Sequence, residues 1–399
     1  MGCARTSSYQ NCQFHGGQIV CTLLLPAKCR IHGVEPMYML RSSLALAGLM
    51  LYLPGLCAAP INAPADAVHS YFAPCFESGK GVNCEVSGVA RVGETLVLAN
   101  DKQMPTSGDS AIFTMALDKQ RIVGAPAHLK GGVLRNAEKY EGLTTTLDGK
   151  YVIAMTAFNK EGTADNPAAD ALNTLLYWPV GQPESAQVIA PSTRGQVTSS
   201  RGLRELISDA VGSRYYQIEA LTTAPGERLL VGIRKLGMNS KSADFSFLLL
   251  SIPCSIDEQG VVLGDRFETV WNLTPDQLSE ALGMNTGAYP ELGLSGIEFD
   301  RINQDRFYAV TSYERGDRIG GFLWILPLEQ GKPGKPQPVR LKDGAALAFT
   351  NKPEGVEVLD DSHVLIVHDD DRFKVKAPET NIERQEHEFA YSVVAFGAK

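Results

Sequence analysis

Short apolar runs recur along the chain, each opening on a Glu or Ser, then a small residue, then an aliphatic one. The copies are Ser87-Gly88-Val89, Glu141-Gly142-Leu143, Glu219-Ala220-Leu221, Ser295-Gly296-Ile297 and Glu354-Gly355-Val356. Each leads through a turn into a second aliphatic run: Thr95 to Ala99, Tyr151 to Met155, Leu229 to Ile233, Arg306 to Val310, and His363 to Val367. The turns carry Gly93, Asp148-Gly149, Pro225-Gly226, Asn303-Gln304-Asp305 and Asp360-Asp361, residues that suit tight hairpins. Third runs follow at comparable offsets, from Ile112, Leu175, Phe247, Phe322 and Phe389, and weaker fourth runs follow most of these. Four antiparallel strands per repeat predict an all-β fold, a β-propeller of five four-stranded blades, or six if the insertions conceal one.

The first positions fall at 87, 141, 219, 295 and 354, and the second and third intervals are much longer than a bare blade needs. Leu203 to Ser208 and Thr274 to Leu282 account for the excess as short amphipathic helices inserted between blades, the second with Thr274 as N-cap and Pro275 at the first helical position. The last repeat runs out at Phe396 without a fourth strand. Val68 to Phe72 is positioned to supply it and close the ring, so residues 66 to 399 read as one domain.

Ahead of that domain, Met39-Leu40-Arg41 and the apolar run Leu44 to Leu56 have the form of a signal peptide over residues 37 to 65, shorter than a comfortable membrane span. Cleavage is expected after Ala65, with an earlier small-residue site at Cys57-Ala58-Ala59; a lipid-modified Cys57 would need a small residue where Leu56 stands. The predicted location is the periplasm or the exterior, with no membrane span after cleavage. Residues 1 to 36 fit no export signal and read as a mis-assigned start; a zinc cluster of Cys3, Cys12, Cys21 and Cys29 with His15 and His32 lacks the tight Cys-x2-Cys pair such sites usually show. Of the remaining cysteines, Cys75 and Cys84 are close enough to close a small disulfide loop in an oxidising compartment, leaving Cys254 as a thiol.

Charge narrows the partners. The chain carries a formal net charge of -8, and the single acid among its first 65 residues leaves the remainder more acidic still. Nucleic acid is excluded as a partner, because its binding needs a cationic face; a small anionic molecule or a protein remains, and a monomer is expected. There is no Gly-x-Ser-x-Gly elbow, His-Glu-x-x-His, phosphate-binding loop or dinucleotide fingerprint. What remains is the repeat register, since equivalent positions of inner strands converge on one axis. Glu141, Glu219 and Glu354, with Ser87 and Ser295, share a level there, and such oxygen ligands suit Ca²⁺ or Mg²⁺; alternatively each Glu clasps backbone amides of the next blade. A second ring comes from the ends of the second strands, where Arg234 and Arg315 could hold a phosphate or carboxylate and His368 or Asp369 could act as base. The competing reading pairs these arginines with the Glu ring.

Ile218-Glu219-Ala220-Leu221 with Leu230-Val231-Gly232-Ile233-Arg234 resembles a bacterial secreted propeller family of unknown function, in which Ile-Glu-Gly-Leu precedes a Gly-x-Arg strand end; Ala220 replaces the family glycine. Gly293-Leu294-Ser295-Gly296-Ile297 with Tyr308 to Arg315 is similar to the phytase-like propellers credited with esterase-like activity. The resemblance implies a propeller fold and a divalent-cation-dependent hydrolase of ester or phosphoester substrates acting at the channel mouth; the alternative is a non-catalytic ligand- or protein-binding propeller.

Overall fold

In the computed structural model the described residues are 12–15, 18–21 and 63–397, apart from 107, 372, 378 and 379. The chain divides into two units, Met1–Leu56 and Cys57–Lys399. In the first, Cys12–His15 pairs with Gln18–Cys21 as a hairpin; the expected leader lies outside the described residues up to residue 62.

The second unit is a five-bladed propeller. Blade 1 runs Val86–Val92, Thr95–Asn100, Ile112–Asp118 and Arg121–His128 from the axis outward. Blade 2 runs Tyr140–Thr145, Tyr151–Thr156, Leu175–Pro179 and Gln187–Val188. Blade 3 has Tyr215–Ala224, Arg228–Gly237, Ala243–Asp257 and Glu268–Leu273, and blade 4 has Gly293–Phe299, Arg306–Arg315 and Arg318–Glu329. The outer edge of blade 4 is broken into two-residue pieces where Pro333 and Pro338 remove ladder donors. Blade 5 takes Pro353–Val358, His363–His368 and Glu388–Phe396 from the end of the chain and Ala65–Pro74 from its start, paired antiparallel with Tyr391 opposite Tyr71. Ala65 is buried in this closing strand and its N–H donates to the Arg340 carbonyl at 2.8 Å, so a chain cut after Ala65 would lose that bond.

The core is five separate apolar seams, one between each pair of neighbouring blades. This follows from strands that are apolar on both faces, as in Tyr151–Thr156, every residue of which is buried. The inserted helices serve the seams. Leu203–Val211 buries Leu203 and Ile207 between blades 2 and 3, while Pro275–Ala281 buries Leu278 between blades 3 and 4 behind a Thr274–Gln277 capping box. Cys75 and Cys84 form a disulfide, and their N–H groups donate to the carbonyls of His387 and Glu386, tying the closing strand's exit to blade 5.

At the axis all five inner strands share one irregularity. Register with the second strand slips between Val86 and Gly88, Tyr140 and Gly142, Ile218 and Ala220, Leu294 and Gly296, and Pro353 and Gly355. Ser87, Glu141, Glu219, Ser295 and Glu354 are therefore bulge residues, released from the ladder and free to be re-aimed. The small residue after each lets adjacent inner strands close up: a Cβ on Gly296 would stand 2.3 Å from the Glu354 carbonyl oxygen. Blade 3 carries Ala220 instead, and the glycine has moved to its cross-strand partner Gly232, where a Cβ would stand 2.5 Å from that of Ala220. At this level only a void of about 10 Å³ remains.

Candidate functional site

Above that constriction the axis opens into a funnel of about 550 Å³ whose wall is almost wholly charged. Its floor is the bulge ring. Glu219 accepts from Arg234 Nη1 at 2.6 Å, and the same nitrogen lies 3.3 Å from Glu354 Oε1, so one guanidinium joins blade 3 to blade 5 across blade 4. Blade 4 permits the crossing because it presents Gly293, where a Cβ would meet Arg234 Cγ at 2.6 Å. Lys352 Nζ sits 3.2 Å from both Glu354 and Asp369 and 3.4 Å from Asp371. On the opposite wall Lys139 bridges Glu141 at 2.6 Å and Asp101 at 2.8 Å, and Lys102 reaches Glu85 at 2.6 Å.

This lattice separates the carboxyl groups. Burial pushes Glu354 well up, against the opposing field of Lys352, and Glu219 beside it raises it further. Burial also acts on Glu219, but Arg234, Lys352, Lys139 and a hydrogen bond from Glu354 outweigh it and hold it below the ordinary carboxyl value. The surroundings thus drive the two neighbours apart, Glu354 upward and Glu219 downward. Glu141 is raised to about 8 by burial, with Lys139 opposing and Glu219 and Asp101 adding to the rise; Glu85 is raised to about 8 by burial and by Asp369 and Asp101. Lys139 and Lys352 stay charged, since their carboxylates more than offset the burial that disfavours the ammonium form.

Of the residues singled out from sequence, Glu141, Glu219, Glu354, Arg234 and Asp369 meet at the funnel. Arg315 and His368 do not. Side chains alternate along a strand, so Glu314 faces the funnel and Arg315 is exposed beside Tyr289 and Tyr313. By the same alternation Asp369 and Asp371 face in, while His368 and Asp370 turn away. His368 is 1% exposed, with Nε2 on Ser392 Oγ at 2.8 Å and its ring against Phe349, and burial pushes it down to about 3. Arg234 and Lys235 both reach the funnel because the register with the third strand slips between Ile233 and Lys235. Among the described residues no backbone amide is seen bonded to Glu141, Glu219 or Glu354; cations of the chain hold them. Each of the three is already engaged this way, so the ring does not fit a divalent ion without displacing Lys139, Arg234 or Lys352.

Sequence reasoning missed Lys139, Lys352 and Glu85. Each stands two residues before a ring position, and that repeated offset is the signal that could have found them.

No family model matches the chain, and no curated protein aligns with it. Among solved structures it is similar to the PQQ-bound aldose sugar dehydrogenase of Streptomyces coelicolor, at 15% identity and TM-score 0.36, over 83% of this chain and 100% of that one. It is also similar to an auxiliary nutrient binding protein of Bacteroides thetaiotaomicron, at 9% identity and TM-score 0.35, over 82% and 76% of the two chains. The WD40 β-propeller domain of Doa1 matches at 11% identity and TM-score 0.26, over 81% and 71%. Matches this distant carry no activity over to this chain. Among the described residues no helix is long and apolar enough to cross a membrane.

Proposed function

We propose that the protein is an exported hydrolase that admits a small ester or phosphoester to the funnel and cleaves it by acid–base activation of water. The observation that carries this reading is the pair Glu219 and Glu354, two neighbouring carboxyl groups at the floor of an open cavity whose surroundings push one down and the other up. Such a pair supplies a general base and a general acid together. Water is the nucleophile in this scheme because no hydroxyl, thiol or imidazole side chain lines the funnel among the described residues. Lys102 and Lys139, less buried than Arg234, are the groups available to an incoming anion. The sequence resemblance to phytase-like propellers supports the reaction class, and the apolar run behind Arg41 supports export. No step is routed through a divalent cation.

A second reading, a non-catalytic ligand-binding propeller, is favoured by one feature: the cations nearest the floor, Lys139, Arg234 and Lys352, each contact at least two carboxylates, which describes a rigid recognition surface equally well. A screen of chromogenic esters and phosphates, with calcium and with chelator, separates the two. Turnover that is lost in both Glu219→Gln and Glu354→Gln, with melting temperature retained, supports the hydrolase. No turnover by the wild type on any substrate leaves the binding propeller.

A further inference from the structure

The charged groups of the funnel sort by depth. The buried ones are consumed by the lattice of Arg234, Lys352 and their carboxylates. Those that reach solvent sort again, by blade. Lys102, Lys139 and Lys235 stand on blades 1, 2 and 3; Glu291, Glu314 and Asp371 stand at the start of blade 4, on blade 4 and on blade 5. One wall of the mouth is therefore cationic and the facing wall acidic.

Three of these six have no ion-pair partner among the described residues. Lys235 Nζ lies over the Phe245 ring, 4.3 Å from its centroid, which places the charge without neutralising it. Glu314 is near enough for its field to act on Lys235 yet makes no ion pair with it. Glu291 has a buried Oε2 with no hydrogen-bond donor, an acceptor that costs free energy until a donor arrives.

A simple anion would be drawn to one wall and repelled by the other, a simple cation the reverse, and a neutral molecule would desolvate both walls without offsetting charge. Resting on the reading of the funnel as the ligand site, we infer that its ligand is a zwitterion: a small molecule whose phosphate or carboxylate meets Lys102, Lys139 and Lys235 while its ammonium group meets Glu291, Glu314 and Asp371. The cavity volume is that of a small-molecule site.

Calorimetric titration of the wild-type protein with O-phosphoethanolamine, β-alanine, ethyl phosphate and ethanolamine tests this. At least one zwitterion should bind about tenfold or more tightly than either compound carrying charge of one sign only, and the better of the two identifies the anionic group. Glu291→Gln should erase the advantage over ethyl phosphate, and Lys235→Gln the advantage over ethanolamine; both side chains are partly exposed, and melting curves verify folding. Neither O-phosphoethanolamine nor β-alanine binding more tightly than both ethyl phosphate and ethanolamine, or none of the four binding, overturns the inference. Absence of hydrolysis with intact zwitterion binding counts against the hydrolase alone, and hydrolysis without zwitterion preference counts against the present inference alone.

Discussion

Replacing Arg234 by Met removes the cation that bridges Glu219 and Glu354 while keeping an unbranched stem in the space beside Gly293. Breaking a buried ion pair from one side costs roughly 3–5 kcal/mol, because the partner's charge is left without compensation. Lys352 and Lys139 still act on Glu219, which places the expected loss toward the lower end, about 3 kcal/mol. For a domain of roughly 330 residues the unfolding entropy is about 0.7 kcal/mol per degree, so the melting temperature should fall by about 4 °C. The loss should depend on pH. In the wild type Glu219 titrates below its ordinary value of 4.5, so the stability it contributes is present above that value and lost as pH falls through the folded one. Without Arg234 burial raises Glu219 instead, and the gap between variant and wild type should narrow as pH falls from 8 to 5. Thermal scans at both pH values, in the wild type and in a Glu219→Gln background, measure it. An equal loss at both pH values, or an Arg234→Met cost unchanged by Glu219→Gln, would refute the assignment of that guanidinium as the clasp of the ring.

Three further outcomes follow from the fold. Gly232→Ala should destabilise by about 1–3 kcal/mol through overpacking against Ala220 and Leu294, and adding Ala220→Gly should recover part of the loss, as chemical denaturation can show. Opening the disulfide with Cys75→Ser and Cys84→Ser together should cost about 2–4 kcal/mol, read from the shift of the urea midpoint. At the opposite end of the channel Glu298 accepts from Thr144 and Thr222, and burial, with Arg301 opposing, raises it to about 8; its contribution is present below the ordinary value and lost as pH rises toward 8, so Glu298→Gln should flatten the decline in melting temperature between pH 5 and 8.

The blades were legible because a hairpin leaves two marks, an aliphatic run on each side and turn residues such as Asp148-Gly149 between them. The ring was legible because every copy opens on the same succession of Glu or Ser, a small residue and an aliphatic one. Its geometry was not: a bulge has no signature in residue type, so neither the release of Glu141, Glu219 and Glu354 from the ladder nor the double presentation of Arg234 and Lys235 could be read from periodicity. Alternation was available and would have separated Asp369 from His368, and Glu314 from Arg315. The choice of the cations that neutralise the ring depends on contacts between blades, which no local window contains.

The strand that closes the ring is the first of the propeller to be synthesised and the last able to pair. Ser70 meets Ser392 across 322 positions, so nothing made in between can complete blade 5. Contacts of such separation are reached slowly, after the entropy of a very long loop has been lost. Until then the two seams that border blade 5 lack their final wall and apolar surface stays open to other chains. Once shut, opening the ring within blade 5 means giving up the whole ladder between that strand and Glu388–Phe396. Its persistence is then a matter of how rarely this happens, and mild truncation at the start of Ala65–Pro74 would shorten the lifetime of the folded form more than the loss of contacts alone suggests.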